Sequence, residues 1–143
     1  MPREIVPPDT GAAYAAMREL RPHLASLEAF VEQVDTVQRA EGYRLVGAFP
    51  GSGADAVAVA GFRVATCLSW GRHVYVDDLS TMPSARGRGL ARQLLAWVRD
   101  EAVRLGCAQV HLDSGVGPGR HPAHRLYLNA GYGITAHHFA RPL

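Results

Sequence analysis

Between Val76 and Leu95 the chain reads VDDLSTMPSARGRGLARQLL. The residues His73 to Thr81 predict a strand, the two glycines in Arg86 to Gly89 predict a turn, and the apolar spacing that follows predicts a helix from Leu90 to Leu105. Glycine removes the side chains that would keep a ligand away from backbone N–H groups. The helix would aim its first amides at the same point, where an anion is favoured. The segment therefore predicts a strand, turn and helix that could bind a phosphate group, although such a turn could also only reverse the chain beneath solvated arginines.

Two other phosphate-binding motifs are absent. A P-loop requires Gly-Lys-Ser/Thr, and a dinucleotide fingerprint requires a third glycine in a longer spacing. Neither pattern occurs, and all of the basic residues are arginine. Arginine binds phosphate through a planar fork of donors, which favours a phosphorylated small molecule as ligand.

The remaining residues predict further strands and helices on both sides of this segment. The predicted strands are Ile5 with Val6, Tyr43 to Phe49, Ala56 to Leu68, Ala108 to Asp113 and Ile134 to Phe139. The predicted helices run from Asp9 or Thr10 to Leu20, from Ser26 to Ala40 and from Pro122 to Gly131. Successive antiparallel strands followed by a helix-linked pair indicate a mixed sheet flanked by helices. The length of 143 residues and the apolar content of 48% predict one domain over residues 1–143.

Composition excludes several classes of function. A formal net charge of only +2 gives no support to nucleic-acid binding. No apolar run is long enough for a membrane helix or a leader, so we expect a cytoplasmic protein without a membrane partner. Cys67 and Cys107 lack CxxC spacing, which gives no support to a zinc site. His121 with His124, or His137 with His138, could supply metal ligands if the fold brought them together, but the spacing of the seven histidines is not specific, so we expect no metal site.

The segment from Val76 to Leu95 resembles motif A of the GCN5-related N-acetyltransferases (GNAT family). The family pattern is Arg/Gln-x-x-Gly-x-Gly/Ala, and Arg86, Gly89 and Ala91 fill its specified positions. A second stretch, His121 to Tyr132, is similar to motif B of the family, with Leu126 in place of the usual first aromatic. The overlapping stretch from Gly119 to Tyr127, together with His137-His138-Phe139 near the end of the chain, looks most like the aminoalkylphosphonate N-acetyltransferase branch.

This resemblance implies both a fold and a cosubstrate. The implied fold is the α+β GNAT acetyltransferase fold, a mixed, mostly antiparallel sheet between helices in a three-layer α-β-α sandwich. The implied reaction is direct transfer of an acetyl group from acetyl-CoA to a primary amine. The backbone of Leu79, Ser80 and Thr81 would pair with the pantetheine arm. The amides of the turn would bind the pyrophosphate, and these belong to Arg86, Gly87, Arg88, Gly89, Leu90 and Ala91.

Two residues are candidates for moving protons. Tyr127 shares one face of its predicted helix with apolar residues, and the resemblance makes it the general acid for the coenzyme A thiolate; the alternative is a core tyrosine with a hydrogen-bonded hydroxyl. Asp77 and Asp78 are neighbours in a strand, so we expect them to point to opposite faces. Asp78 precedes the pantetheine segment, where relatives often carry an acid, so we expect it to accept the amine proton; the alternative is a carboxylate paired with an arginine or a backbone donor.

The acceptor is open at this stage. A small-molecule amine is our first expectation, and Glu32 and Asp35 on the second helix could attract a cation, although a solvated helix face explains them too. One alternative is a non-catalytic acyl-CoA-binding sensor, and another is a protein or peptide lysine acetyltransferase. The last strands could also form a homodimer.

Overall fold

The computed structural model describes all 143 residues of the chain. The strands are β1 (Pro2–Ile5), β2 (Tyr43–Ala48), β3 (Ala58–Cys67), β4 (Gly71–Thr81) and β5 (Gln109–Leu112). The helices are α1 (Tyr14–Leu20), α2 (Leu27–Gln33), α3 (Leu90–Arg104) and α4 (His121–Asn129). None of the helices combines the length and the apolar character needed to cross a lipid bilayer.

The five strands form one sheet in the order in which they occur along the chain. The first four are antiparallel neighbours, with Pro2 opposite Ala48 and Tyr43 opposite Arg63. β5 lies beside β4 after the crossover through α3, the kind of connection that parallel strands require. The predicted mixed, mostly antiparallel sheet is therefore confirmed.

Helices cover both faces of this sheet. Adjacent strand residues point to opposite faces, and β2 shows the consequence: Tyr43 and Leu45 pack in a core with residues of α1 and α2, whereas Arg44 binds Glu101 of α3 at 2.8 Å. On the α3 face, the rings of Phe62 and Trp97 lie 6.1 Å apart. The result is the three-layer arrangement expected from the sequence, with α1 and α2 on one side and α3 on the other.

A β-bulge changes the direction of the side chains in β4. Gly61 pairs with Asp78 and Phe62 pairs with Val76, so Asp77 is an extra residue without a partner of its own. Asp77 binds Arg63, which lies opposite Tyr43, and Asp78 binds the hydroxyl of Tyr43. Both carboxylates therefore lie on the α1 and α2 face. The expectation that they point to opposite faces is wrong, because the bulge interrupts the alternation.

The second predicted helix is less regular than expected. α2 ends at Gln33 and is followed by a π-helical turn over Val34–Gln38 and a 3₁₀ turn over Arg39–Glu41. Gly42, at φ 93°, then reverses the chain into β2. The π turn widens the helix next to the face where Tyr43 and Asp78 meet.

The chain forms two compact units, Met1–His111 and Leu112–Leu143. The second unit contains α4, whose first turn carries Pro122 as expected. The strand expected over 134–139 does not form, and residues 133–143 have no regular secondary structure. No backbone hydrogen bond joins residues 133–143 to another segment, as the ladder of a strand would require. A single domain over residues 1–143 stays a prediction.

Candidate active site

The glycine-rich turn joins β4 to α3. After a 3₁₀ turn over Pro83–Ala85, Gly87 and Gly89 adopt φ angles of 77° and 73°, in the left-handed region that favours glycine. A Cβ placed on either glycine would meet no atom within 4 Å, so open space lies beside the backbone. The guanidinium of Arg88 donates to the carbonyl oxygen of Ser84 at 3.2 Å and braces the turn. The side chain of Arg86 is exposed.

The start of α3 leaves backbone donors unpaired. Gly89 is the N-cap, no side chain caps it, and the amide of Gln93 donates to its carbonyl oxygen at 3.1 Å. The amides of the preceding positions, Leu90 and Ala91 among them, have no acceptor within the helix. Open space, unpaired amides and exposed guanidinium groups together fit a diphosphate.

The end of β4 extends beyond its neighbour β5. Leu79, Ser80 and Thr81 pair with β3 on one side. On the other side, β5 begins where the amide of Ala108 donates to the carbonyl oxygen of Arg72, at the start of β4, and it is only four residues long. A parallel strand of that length ends before it reaches Leu79. The outer edge of residues 79–81 is therefore not paired with β5.

Asp78 lies in a network of hydrogen bonds. Its Oδ1 accepts from the guanidinium of Arg21 at 2.9 Å, and its Oδ2 accepts from the hydroxyl of Tyr43 at 2.7 Å. Burial raises the pKa of Tyr43 well above its ordinary value, and the neighbouring carboxylate of Asp78 adds to that shift, so the hydroxyl remains a donor. Arg21 also donates to the carbonyl oxygen of Asp77 at 3.1 Å. The alternative of an arginine-paired Asp78 thus describes its contacts correctly, and those contacts fix the position of the carboxylate.

Gly61 makes room for this network. A Cβ on Gly61 would overlap the hydroxyl oxygen of Tyr43, far inside the distance at which two non-bonded atoms can approach. Glycine at this position in β3 is therefore required for the phenol to reach Asp78 across the sheet.

A cavity of about 240 Å³ lies next to Asp78. Its polar lining comes from Arg21, His23, Gln33, Gln38, Tyr43 and Asp78, and its apolar lining from Met17, Leu24, Phe30 and Val34. The cavity is thus formed by α1, α2, the π turn, β2 and β4. Only 13% of the Asp78 side chain is exposed to solvent, which makes the cavity the place where a ligand would meet it.

Asp77 has a different environment. Its two carboxylate oxygens accept from Nε and Nη2 of Arg63, both at 2.8 Å. These hydrogen bonds raise the pKa of Arg63. The bidentate pair stabilises the bulge and uses the carboxylate that Asp77 would otherwise offer to a ligand.

Tyr127 lies on α4 in the second unit. Its ring is 6.1 Å from that of Tyr132 in an edge-to-face arrangement, and its carbonyl oxygen accepts from the amide of Tyr132 at 3.0 Å. Burial raises the pKa of Tyr127, while the charge of Arg120 and a hydrogen bond from it act in the opposite direction. The phenol is therefore protonated near neutral pH, the state that a general acid needs.

The other candidate polar residues do not line the cavity. Asp35 accepts from Thr10 at 2.7 Å and from Arg39 at 2.9 Å, and these bonds lower its pKa although burial acts to raise it. Glu32 is exposed on α2. The rings of His121 and His124 lie 6.3 Å apart, and no group of three or more His, Cys, Asp or Glu side chains is placed to hold a metal ion.

Sequence reasoning missed three residues of the network around Asp78: Arg21, Tyr43 and Gly61. Arg21 is the residue before a proline at the end of a helix, and Tyr43 reads as an ordinary strand residue. The glycine inside a strand was the one available signal, because such a glycine often marks a close approach by another group.

Comparison with known proteins identifies the class. A model of the acetyltransferase (GNAT) family matches residues 12–132. The uncharacterized N-acetyltransferase YhdJ of Bacillus subtilis is 30% identical over 132 residues, which are 92% of this chain and 89% of that protein. The aminoalkylphosphonate N-acetyltransferase of Salmonella typhimurium is 34% identical over 68 residues, which are 48% of this chain and 43% of that enzyme. The protein belongs to the GNAT family of acetyltransferases.

Solved structures agree with this assignment at the level of the fold. The aminoglycoside N-acetyltransferase AAC(6')-Iy in complex with CoA superposes with a TM-score of 0.81 at 19% identity, covering 100% of this chain and 93% of that one. A transcriptional regulator from Bacillus halodurans superposes with a TM-score of 0.83 at 18% identity, covering 100% and 99%. The chain is an N-acetyltransferase with the GNAT fold, and acetyl-CoA is the cosubstrate of its family.

Proposed function

We propose that the protein transfers an acetyl group from acetyl-CoA directly to the primary amine of a small molecule. The observation that carries this proposal is the cavity beside Asp78, since it places an oriented carboxylate against a space suited to a small ligand. A carboxylate in this position attracts an ammonium group and can take up its proton.

The size of the cavity favours a small acceptor. A volume of about 240 Å³ lies below the roughly 300–1,000 Å³ of pockets that enclose drug-sized ligands. This space suits a compact amine better than the extended backbone of a lysine-bearing peptide.

The cosubstrate would lie along the end of β4 and the start of α3. We propose that the backbone of Leu79, Ser80 and Thr81 pairs with its pantetheine arm, and that the amides from Arg86 to Ala91 hold its pyrophosphate. Arg86 and Arg88 would add positive charge there. Acetyl-CoA supplies the acetyl group as an activated thioester.

Two side chains would move protons. Asp78 would accept the proton of the attacking amine, directly or through a water. Its two hydrogen bonds leave lone pairs unused, because an ionised carboxylate offers about four acceptor sites. Tyr127 would donate a proton to the departing thiolate. The amine itself attacks in this scheme, so no side chain has to carry the acetyl group, and orientation of the two substrates provides much of the rate gain.

One experiment tests both binding and chemistry. Acetyl-CoA is titrated calorimetrically into the full chain, and thiol release is then followed with small amines, aminophosphonates and lysine peptides in the same sample. Binding together with turnover of small amines supports the proposal. Turnover of lysine peptides alone would assign the protein to peptide acetylation, and binding without any turnover would favour an acyl-CoA sensor. Light scattering on the same sample tests the predicted homodimer.

A further inference from the structure

The charges that line the cavity are balanced. Other than histidine, its one basic residue is Arg21 and its one acidic residue is Asp78, and Nη2 of Arg21 lies 2.9 Å from Oδ1 of Asp78. A substrate that carries only an ammonium group would place a second cation beside the guanidinium. Two like charges at such a distance repel each other, and the effect grows as water is excluded. The cavity therefore suits a substrate whose own charges also balance.

Arg21 retains the capacity to bind an anion. Its hydrogen bonds to Asp78 and to the carbonyl oxygen of Asp77 use Nε and Nη2, and neither uses Nη1. Its side chain is 43% exposed, against 13% for Asp78, so solvent and ligands reach Arg21 more readily than Asp78. A guanidinium binds carboxylates and phosphonates through parallel hydrogen bonds.

The other polar groups of the cavity compete little for this role. Nε2 of Gln33 donates to Oε1 of Gln38 at 2.9 Å, so these two amides satisfy each other in part. The side chains of Met17, Leu24 and Phe30 offer an apolar surface without charge. A ligand with two charged ends and a short hydrocarbon between them matches this distribution of polar and apolar groups.

Resting on the proposed function, we infer that the acceptor is a small amine that carries its own acidic group, a carboxylate or a phosphonate. Arg21 is the residue that determines this specificity, because it binds the acidic group while Asp78 binds the ammonium. The pair would then bind a zwitterion with each charge next to its opposite.

The test compares acid-bearing amines with their neutral amides. With acetyl-CoA saturating, kcat/KM is measured for glycine, β-alanine and aminomethylphosphonate, and for glycine amide and β-alanine amide. We expect a preference of about tenfold or more for at least one acid over its neutral counterpart, since the amide leaves the guanidinium without its partner. The carboxylate and phosphonate arms show which acidic group is preferred.

Variants at Arg21 assign the effect. R21Q should abolish the preference, and R21K should keep part of it, because lysine supplies charge without the fork. R18Q, on the exposed side of the same helix, is the matched control and should keep the preference. Circular dichroism melting checks that each variant is folded. If R21Q does not fold, R21K serves as the test variant because it preserves the positive charge.

Two results would overturn the inference. One is an equal kcat/KM for acids and amides in the wild-type protein, and the other is an R21Q variant that lowers both by the same factor. If no amine is acetylated at all, the proposed function is wrong, but the inference about ligand charge is still open. Calorimetric titration of the same acids and amides then decides the inference: tighter binding of an acid that R21Q removes supports it, whereas equal or absent binding contradicts it.

Discussion

A carboxylate placed against a sheet is costly unless its oxygens are hydrogen-bonded, and Asp78 meets that requirement with two donors from different elements. Arg21 comes from the end of α1, and Tyr43 opens β2. Gly61 leaves the space in which the phenol reaches across the sheet. Two side chains and one missing side chain thus hold a single carboxylate at the wall of a cavity.

Replacement of Asp78 tests its role as a proton acceptor. We expect D78N to lower kcat by about a hundredfold or more, because general-base catalysis contributes roughly that factor or higher. The matched control is D77N, because the carboxylate of Asp77 is already bound by Nε and Nη2 of Arg63. D77N should lower the melting temperature and change kcat little. Comparable losses of kcat in both variants would contradict the assignment of the base to Asp78.

The hydroxyl of Tyr43 can be removed without changing the shape of the core. Y43F deletes the 2.7 Å hydrogen bond to Asp78, and one such bond to a charged group contributes about 1.5–3 kcal/mol. We expect Y43F to lower kcat/KM about threefold to tenfold, because the carboxylate loses one of the donors that orient it. Tyr14 donates to the carbonyl oxygen of Leu24 at 3.4 Å, so Y14F serves as the control. Steady-state kinetics in which both variants behave alike would rule out the positioning role.

At the scale of elements, the turn before α3 shows how a local sequence specifies a local structure. Gly87 and Gly89 both adopt positive φ, and each is followed closely by the helix that the apolar spacing predicts. No distant residue is needed to form this turn. For the same reason, it could be predicted from twenty consecutive residues.

Substitution in the turn should affect cosubstrate binding specifically. A non-glycine residue in the left-handed region costs about 1–2 kcal/mol, so G89A should destabilise the turn and raise the KM for acetyl-CoA about tenfold. Gly106 has nearly the same φ of 74° and equally open surroundings, but it lies after the end of α3. G106A should therefore reduce the melting temperature by a similar amount and leave this KM unchanged. An equal rise in KM for both variants would indicate that strain alone, not ligand contact, explains the effect.

The network around Asp78 could not be predicted in the same way. Arg21 is 57 residues from Asp78 and Tyr43 is 35 residues away, so their meeting depends on the register of β2, β3 and β4. The bulge at Asp77 also has no signature in the sequence. Periodicity predicted the strand correctly, but it placed the two carboxylates on opposite faces because it assumes uninterrupted alternation.

At the scale of the whole molecule, one ion-pair network joins the first strand, the sheet and α3. Glu101 accepts hydrogen bonds from Arg104 and from Arg44, and Arg44 also binds Glu4 of β1. The hydrogen bonds from Arg104 are the largest cause that holds the pKa of Glu101 at about 2, with those from Arg44 next among the causes that lower it. The network lies on the α3 face, away from the cavity.

This network makes stability depend on acid pH. The pKa of Glu101 falls from an ordinary value of 4.5 to about 2 on folding, so its contribution is complete above pH 4.5 and is lost as the pH falls toward 2. We expect a loss of about 2 kcal/mol from this group over that range. Urea unfolding at a series of pH values should show a shallower acid slope for E101Q than for the wild type. D100N, which removes an exposed pair with Arg99, should retain the wild-type slope.

Every cation in these networks is a guanidinium, because the chain contains no lysine. Arg21, Arg44, Arg63 and Arg104 carry the pairs that shape the cavity, the bulge and the α3 face. An ε-amino group in any of these positions would be a nucleophile toward a thioester, and its acetylation would abolish the charge. The folded protein therefore has no side-chain amine that acetyl-CoA could acetylate. If radiolabelled acetyl groups were found on an amine of the polypeptide, that amine would be the α-amino group at the amino terminus.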